Sequence, residues 1–544
     1  MRVTFSQRSP TKISADTYLV VFRAPRRGLL QLPLSTKLHP DAASMVSTRP
    51  EAITWLETRS LPTPRMLCYC LGKQPEPWDP SLEYLNGHAG SLGRETWAIQ
   101  ERRAARVAGA QIERACDLLG SKQVALIAWP EDIDPSLVVE GMLLRGHDAR
   151  AWERSEPTPE NCSDSSLRRI SVCAPDPNPD PALGPRLRER VAVTEATNFA
   201  RVLGDLPSNH GAAADIVSRV RAELERRGAR LQLSTISAAE AEAAGMGLFT
   251  AVDAGAPSRG CVLLLEHRGR ARAQTDDRAE EIEETEETKE TEEIIEPVDL
   301  SLVGKGITHD TGGYNLKAGP TLHELTHDKC GATAVIGAML AIDALGLPID
   351  VLAMCPLTEN CVDALAYKPG DVLRACDGTT VYVEDTDAEG RLALADTLAW
   401  LREHGPEAAL TVDVATLTGS IHAGLGEAYA GLFCNEDRAR ALLEAAGQRS
   451  GELLWPMPIH ELHERELLHH KADLRNVGAP FGAASSAAAF LRAFVRSPWA
   501  HLDIAGKSHT EFARECFGPG ATGYGVRLLV ELARGILADA HSQH

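Results

Sequence analysis

Three stretches of the chain concentrate ionisable side chains in patterns that could do chemistry. VGKGITHDTGGYNLK (303–317) carries Lys305, Asp310 and Lys317. Asp328 follows eleven residues after Lys317. EDTDAEGR (384–391) then supplies Asp387, Glu389 and Arg391. Ionised groups are costly to bury unless something compensates their charge. Three aspartates and a glutamate brought together would repel one another unless a cation neutralised them. Carboxylates in that number suit Mg2+, Mn2+ or Zn2+, and could hold two ions. Taken singly, each segment also has a plainer reading: DTDAEG as a helix-capping turn and GKG as a tight loop.

Convergence requires elements that bring these segments to one place. CVLLLE (261–266), VDLSLV (298–303), residues 350–355, VYVE (381–384) and LTVDV (410–414) read as apolar strands. Between them lie helices at about 329–345, closed by Gly346, and 391–404, closed by Gly405. Strands alternating with helices predict an α/β fold with a mostly parallel central sheet covered on both faces. In such sheets functional groups gather in the loops beyond the carboxyl ends of the strands, which is where the charged stretches fall.

Upstream, strands at 18–23 and 123–129 and a helix near 95–120 predict a smaller N-terminal α/β domain over residues 1–175, with no constellation of chemical groups. APDPNPDPALGP (174–185) cannot lie inside a helix or a central strand. It predicts a linker over 176–185, with a larger C-terminal domain occupying 186–544. RLRERVAVTEATNFARVLGDLP (186–207) then reads as a connecting helix ending at Pro207.

The 544 residues are 44% hydrophobic, 24% charged and 5% aromatic, with a net charge of −20. Those fractions fit a folded helix-rich protein of more than one domain. The charge argues against nucleic acid or an anionic membrane as the main partner. Half of it sits in residues 276–296, where twelve acidic side chains face Arg278 and Lys289. That tract, within an insert at 271–297, reads as a solvated, disordered loop between neighbouring strands. The twelve cysteines include no C-x-x-C pair, as in a reduced intracellular protein. No apolar run approaches the roughly 20 residues of a membrane span, and neither terminus reads as a targeting signal, so the expected location is the cytoplasm.

Competing motifs fail on detail. A phosphate-binding loop would need Ser or Thr after Lys305, where Gly306 stands. HELHERELLHH (460–470) has Glu464 where a zinc-binding H-E-x-x-H needs its second histidine.

VGKGITHDTGG (303–313) and DTDAEGRL (385–392), with DVATLTG (413–419), NVG (476–478), HLDIAG (501–506) and GATGYGVRLL (520–529), resemble the ordered motifs of the leucine aminopeptidase family of dinuclear metallopeptidases. The peptidase B branch is the nearest in pattern. The resemblance spans roughly 298–535 and is faint before 195. It implies one metal on Asp310, Asp387 and Glu389, and a second on Lys305, Asp310, Asp328 and Glu389. It also implies Lys317 as the cation that polarises the scissile carbonyl, and Arg391 as the holder of a bicarbonate ion that relays the proton. Two divalent ions per subunit (Mn2+ or Zn2+, with Mg2+ and Co2+ also compatible), peptide substrates and a homohexamer are further implications. The pocket for the first side chain would be lined by Leu325, Thr416, Gly419, Ala505 and Ser508. Asp385, His309 and Thr311 depart from the family's Asn, Phe and Ser, and GDLPSN (204–209) departs from its N-x-P-x-N. The alternative function is a weak or inactive relative kept for a structural, assembly role.

Overall fold

The computed structural model describes residues 2–6, 15–22, 47, 49–57, 65–71, 92–153, 167–173, 180–270 and 296–542. Residues 271–295, most of the acidic insert, and 174–179, the first half of the Pro-rich stretch, lie outside them. Contacts divide the chain into two compact units: residues 1–198 with 510–520, and residues 199–509 with 521–544.

The first unit is built on a six-stranded sheet. Its strands are β1 (Arg2–Ser6), β2 (Thr17–Phe22), β3 (Ile53–Glu57), β4 (Arg65–Cys70), β5 (Gln123–Ala128) and β6 (Arg169–Cys173), in the order β1-β6-β5-β2-β4-β3. All neighbours are parallel except β3 and β4. TYLVVF in β2 is apolar at nearly every position because both faces are covered, which removes the alternation seen in half-exposed strands. Leu19, Leu67 and Leu126 of the sheet share a core with Ile112 of α1 (Leu92–Leu118) and Val138 of α2 (Pro135–Arg145).

The second unit holds the larger sheet. Its strands are β7 (Gln232–Ser237), β8 (Cys261–Arg268), β9 (Val298–Gly304), β10 (Gly306–Asp310), β11 (Asp350–Asn360), β14 (Ala408–Ala415), β15 (Ala430–Cys434), β16 (Leu454–Pro456) and β19 (Trp499–Asp503). They run β16-β15-β19-β14-β9-β11-β8-β7, with β10 also paired to β11. The central strands β19, β14, β9 and β11 are mutually parallel, while β7, β8 and β15 are antiparallel additions at the flanks. The fold is thus α/β with a mixed, mostly parallel main sheet.

Three expectations are corrected in detail. β8 and β9 follow one another in sequence but are not neighbours, because β11 pairs antiparallel with one and parallel with the other. Of VYVE only Val381 and Tyr382 are in a strand, β13 (Thr380–Tyr382), which joins a separate four-stranded sheet with β12 (Val372–Arg374), β17 (Leu468–His469) and β18 (Ala472–Arg475). Its chain leaves the strand where the backbone N–H of Glu384 turns to the side chain of Asn476. The strand read at 350–355 runs on to Asn360.

A helix, α3 (Leu183–Gly204), begins inside the Pro-rich stretch, three residues before the expected start, because a proline in the first turn, here Pro185, removes no intrahelical hydrogen bond. The helix α4 (Cys330–Leu345) is buried along nearly its whole length, which explains its lack of a polar face, and Gly346 ends it in the left-handed conformation at φ 59°. The helix α5 (Glu389–His404) starts two residues before its expected position, so Glu389 and Arg391 belong to its first turn. Among the described residues no helix is long and apolar enough to cross a membrane.

Candidate metal centre

The first charged stretch leaves the carboxyl end of the central strand β9, whereas Asp328 lies in the turn before α4 and EDTDAEGR follows β13 of the smaller sheet, a correction to the expectation that all three leave the main sheet. Lys305 is the single residue between β9 and β10, held by backbone bonds from its N–H to Val414 O (2.9 Å) and to its carbonyl from Ala332 N (2.7 Å). Asp310 ends β10. Asp328 closes a 3-10 turn (Pro320–Lys329) that leads into α4. Asp387 sits in the turn before α5, and Glu389 opens that helix. Glycine makes two of these approaches feasible. A Cβ on Gly390 would lie 2.2 Å from Lys305 Cε, and Gly312 adopts φ +85° beside Asp387.

One carboxylate oxygen from each of Asp310, Asp387 and Glu389 lies within 4.8 Å of the others. Two lysines are threaded among the acids. Lys305 Nζ is 2.8 Å from Asp328 Oδ2 and 2.9 Å from Glu389 Oε1. Lys317 Nζ is 2.8 Å from Asp310 Oδ2 and also pairs closely with Asp387. Thr416 fastens the Asp328 side: its hydroxyl donates to Asp328 Oδ1 (2.6 Å), and its carbonyl accepts from Lys305 Nζ (2.9 Å). All four carboxylates and both lysines therefore form one group.

Burial dominates its electrostatics. It pushes the Asp328 carboxyl up to about 8, and that of Asp387 up to about 7 with help from Asp310 and Glu389. Burial alone would favour neutral Lys305, but Asp328, Glu389 and Asp310 outweigh it and hold the ammonium charged. Lys317 follows the same balance through Asp310, Glu389 and Asp387. Arg391 is buried, and its pKa is lowered to about 10 by that burial. Its NH1 donates to Asn476 O (2.8 Å), while its Nε is buried with no hydrogen-bond partner.

Of the pocket residues, Leu325 and Thr416 are half-buried, Gly419 is exposed, and a Cβ on Gly419 would meet open space. Asp503 Oδ1 accepts from Leu417 N (3.1 Å) and Ala505 N (3.2 Å), tying the loop after Thr416 to Ala505. Ser508 is buried, with its hydroxyl 3.1 Å from His509 Nδ1. Leu325 belongs to the same turn as Asp328.

The model of the cytosol aminopeptidase family catalytic domain matches residues 198–530. A probable cytosol aminopeptidase of Roseiflexus castenholzii is 31% identical over 98% of this chain and 99% of its own. One of Desulforapulum autotrophicum is 33% identical over 79% of each chain. The chain belongs to the cytosol aminopeptidase family. As a member it is a metallo-exopeptidase. The bottromycin maturation enzyme BotP in complex with Mn superposes with a TM-score of 0.74 at 27% identity, covering 96% of this chain and 99% of that one. A substituted tomato leucine aminopeptidase shares the fold with a TM-score of 0.76 at 23% identity, over 98% and 96% of the two chains.

The centre fits the divalent cations on which this family depends. Its donors are hard carboxylate oxygens. Asp328 Oδ2 and Asp387 Oδ1 are buried and accept no hydrogen bond of good geometry, although a lysine nitrogen lies beside each. Three residues outside the predicted set fasten the carboxylates of this aminopeptidase and the turn that carries Asp387. Tyr367 donates to Thr386 O (2.8 Å), Asn476 accepts from Glu384 N (2.9 Å), and Asn360 donates to Asp310 Oδ1 (2.8 Å). Asn476 lies inside the NVG motif and was open to notice. Asn360 and Tyr367 stand outside every motif.

Proposed function

We propose that the chain removes the N-terminal residue from peptides in the cytoplasm, as a homohexamer of the peptidase B type. The observation that carries the reading is the cluster of Asp310, Asp387 and Glu389 oxygens with Lys305 and Lys317 interleaved. Asp310, Asp387 and Glu389 would hold one ion, and Lys305, Asp310, Asp328 and Glu389 the other, with Mn2+ or Zn2+ the best matched. Bound there, two divalent ions supply Lewis acidity and a water of lowered pKa.

The chain's own residues then have distinct tasks. Lys317, partly exposed and held by two carboxylates, presents a fixed positive charge to the oxygen on which negative charge develops. Arg391 is a permanent cation and cannot itself accept a proton. Its unpartnered Nε suits an anion such as bicarbonate, which would provide the proton-accepting group that the guanidinium lacks. Lys305, as a ligand, would release its proton to solvent, with the metal ion taking that proton's place on the nitrogen. The half-buried Leu325 and Thr416, with Gly419, Ala505 and Ser508, would receive the first side chain.

The deciding experiment is hydrolysis of a panel of aminoacyl amides by the purified protein, treated with chelator and then resupplied with Mn2+. Loss and return of activity supports the reading. A fully metal-loaded protein that hydrolyses none of them would favour the assembly role instead. Within the panel, Leu should exceed Met, Ser, Asp and Lys by less than about a hundredfold, because one apolar contact contributes roughly 1–3 kcal/mol to discrimination. Ser508→Met should shift the ratio towards Leu.

A further inference from the structure

Asn360 is the last residue of β11, 1% exposed, and it carries no charge of its own. Its side-chain amide nitrogen lies 2.8 Å from Asp310 Oδ1, 3.0 Å from Thr386 O and 3.5 Å from Glu389 Oε2. An amide has two N–H donors, so Asp310 and Thr386 take the two shorter bonds and Glu389 is the outer neighbour. All three partners are acceptors. An amide turned the other way would aim its oxygen at two carboxylates and a carbonyl, so this orientation is fixed by electrostatics. The amide oxygen itself has no hydrogen-bond partner. The backbone of the same residue is also engaged, its carbonyl accepting from Thr311 N (3.0 Å) and Thr311 Oγ1 (2.9 Å).

These bonds join three segments that sequence keeps apart. Asp310 ends β10, Thr386 precedes Asp387 in the turn, and Glu389 starts α5. Thr386 O is held from its other side by Tyr367 OH at 2.8 Å. Asp310 and Glu389 are the two carboxylates assigned to both metal ions. A rigid donor on Asp310 can fix which of its oxygens stays with the protein and which faces the centre, and the positive end of the amide, lying 3.5 Å from Glu389 Oε2, can limit the repulsion between the two carboxylates.

We propose that Asn360 is a positioning residue for the metal pair: its amide donates to Asp310 and to the turn carrying Asp387, and so presets the shared ligands for two divalent ions. The proposal rests on the metallopeptidase reading above. It concerns metal affinity first and turnover only through it, because Asn360 has no proton to transfer and no charge to offer a substrate.

The test compares Mn2+ binding to the full-length parent, Asn360→Leu and Asn360→Ala by isothermal titration after chelation and dialysis. Leu keeps the volume and removes the donor, and Ala serves if Leu does not fold. Loss of an outer-shell partner typically weakens metal affinity by about ten- to a hundredfold, and both variants should fall in that range. The Mn2+-induced rise in melting temperature at one fixed concentration should shrink in parallel, whereas the chelated proteins should melt within a few degrees of one another. A purely structural role would instead lower the melting temperature of the chelated variant and leave the Mn2+ isotherm unmoved. Variants that bind Mn2+ within about twofold of the parent, on the same scale, overturn the proposal while the metallopeptidase reading stands. A parent that binds no Mn2+ overturns that reading and this inference with it.

Discussion

At the residue scale the centre is a problem in charge. Three buried acids and the half-buried Asp387 face two lysines and a guanidinium, and Asp328 Oδ2 and Asp387 Oδ1 are left without a well-formed hydrogen bond. Removing a ligand and removing a stabilising cation should therefore differ in kind. Asp387→Ala should lower both Mn2+ affinity and turnover. Lys317→Ala should retain the metals yet lose at least about a hundredfold in kcat, the usual scale for removing an electrostatic stabiliser. Parallel metal analysis and steady-state kinetics on the two variants check this, and full activity in either would refute the assigned role. Arg391→Ala should lose turnover too, with partial recovery on adding bicarbonate if its task is to hold an anion. The types and spacing of Lys305, Asp310, Lys317, Asp328, Asp387, Glu389 and Arg391 were legible because charge in apolar surroundings is a conspicuous signal. Asn360 and Tyr367 were not, since a neutral amide or phenol beside an apolar strand looks the same whether it orients a ligand or merely satisfies the backbone.

At the element scale the parallel strands do the positioning, and β14 and β19 carry a buried ionic device of their own. Asp413 and His501 are register partners, both fully buried. Asp413 Oδ1 is 2.5 Å from His501 Nδ1, and its Oδ2 accepts from Trp499 Nε1 at 2.7 Å. Burial opposes a charged imidazole, but Asp413 more than offsets it and His501 is raised above its ordinary pKa. A histidine raised on folding contributes stability that is complete below about pH 6.5, its unfolded value, and is lost as pH rises through its folded value. The unfolding free energy of the C-terminal unit should therefore fall from pH 6.5 upward. Asp413→Ala should flatten that slope and cost about 3–5 kcal/mol near neutrality, the scale for breaking a buried pair. Urea denaturation across pH measures both, and an unchanged slope would show that His501 is neutral in the fold. DVATLTG and HLDIAG, which hold these residues, thus serve the sheet as well as the loops beyond it.

At the scale of the whole molecule, the acidic insert is the feature that least resembles the rest of the chain. Its described ends are close, since Arg268 NH1 reaches the carbonyl of Glu296 at 3.4 Å. Loop closure costs only about 0.6 kcal/mol for each doubling of length, so a shorter connection should be tolerated. Deleting residues 276–296 is expected to leave folding intact, the proposed hexamer assembled and aminopeptidase turnover within about twofold, given that small closure term. Sedimentation and kinetics on the deletion form would detect a loss of assembly or a larger drop, either of which would assign the tract an active part.

The sequence by itself determined the fold class, the elements and the set of charged residues, because apolar periodicity, helix-ending glycines and clustered carboxylates are local properties. It could not determine strand order. The insertion of β11 between β8 and β9 depends on which pairing buries more surface, and that choice is made by the whole sheet. Nor could it show that Lys305 lies between Asp328 and Glu389, or that Asn360 spans Asp310 and Thr386. Those contacts join residues 23 to 84 positions apart in the chain. They exist only once the ends of β9, β10 and β11 meet the turns that lead into α4 and α5, where burial makes every unpaired charge costly and so selects a single arrangement.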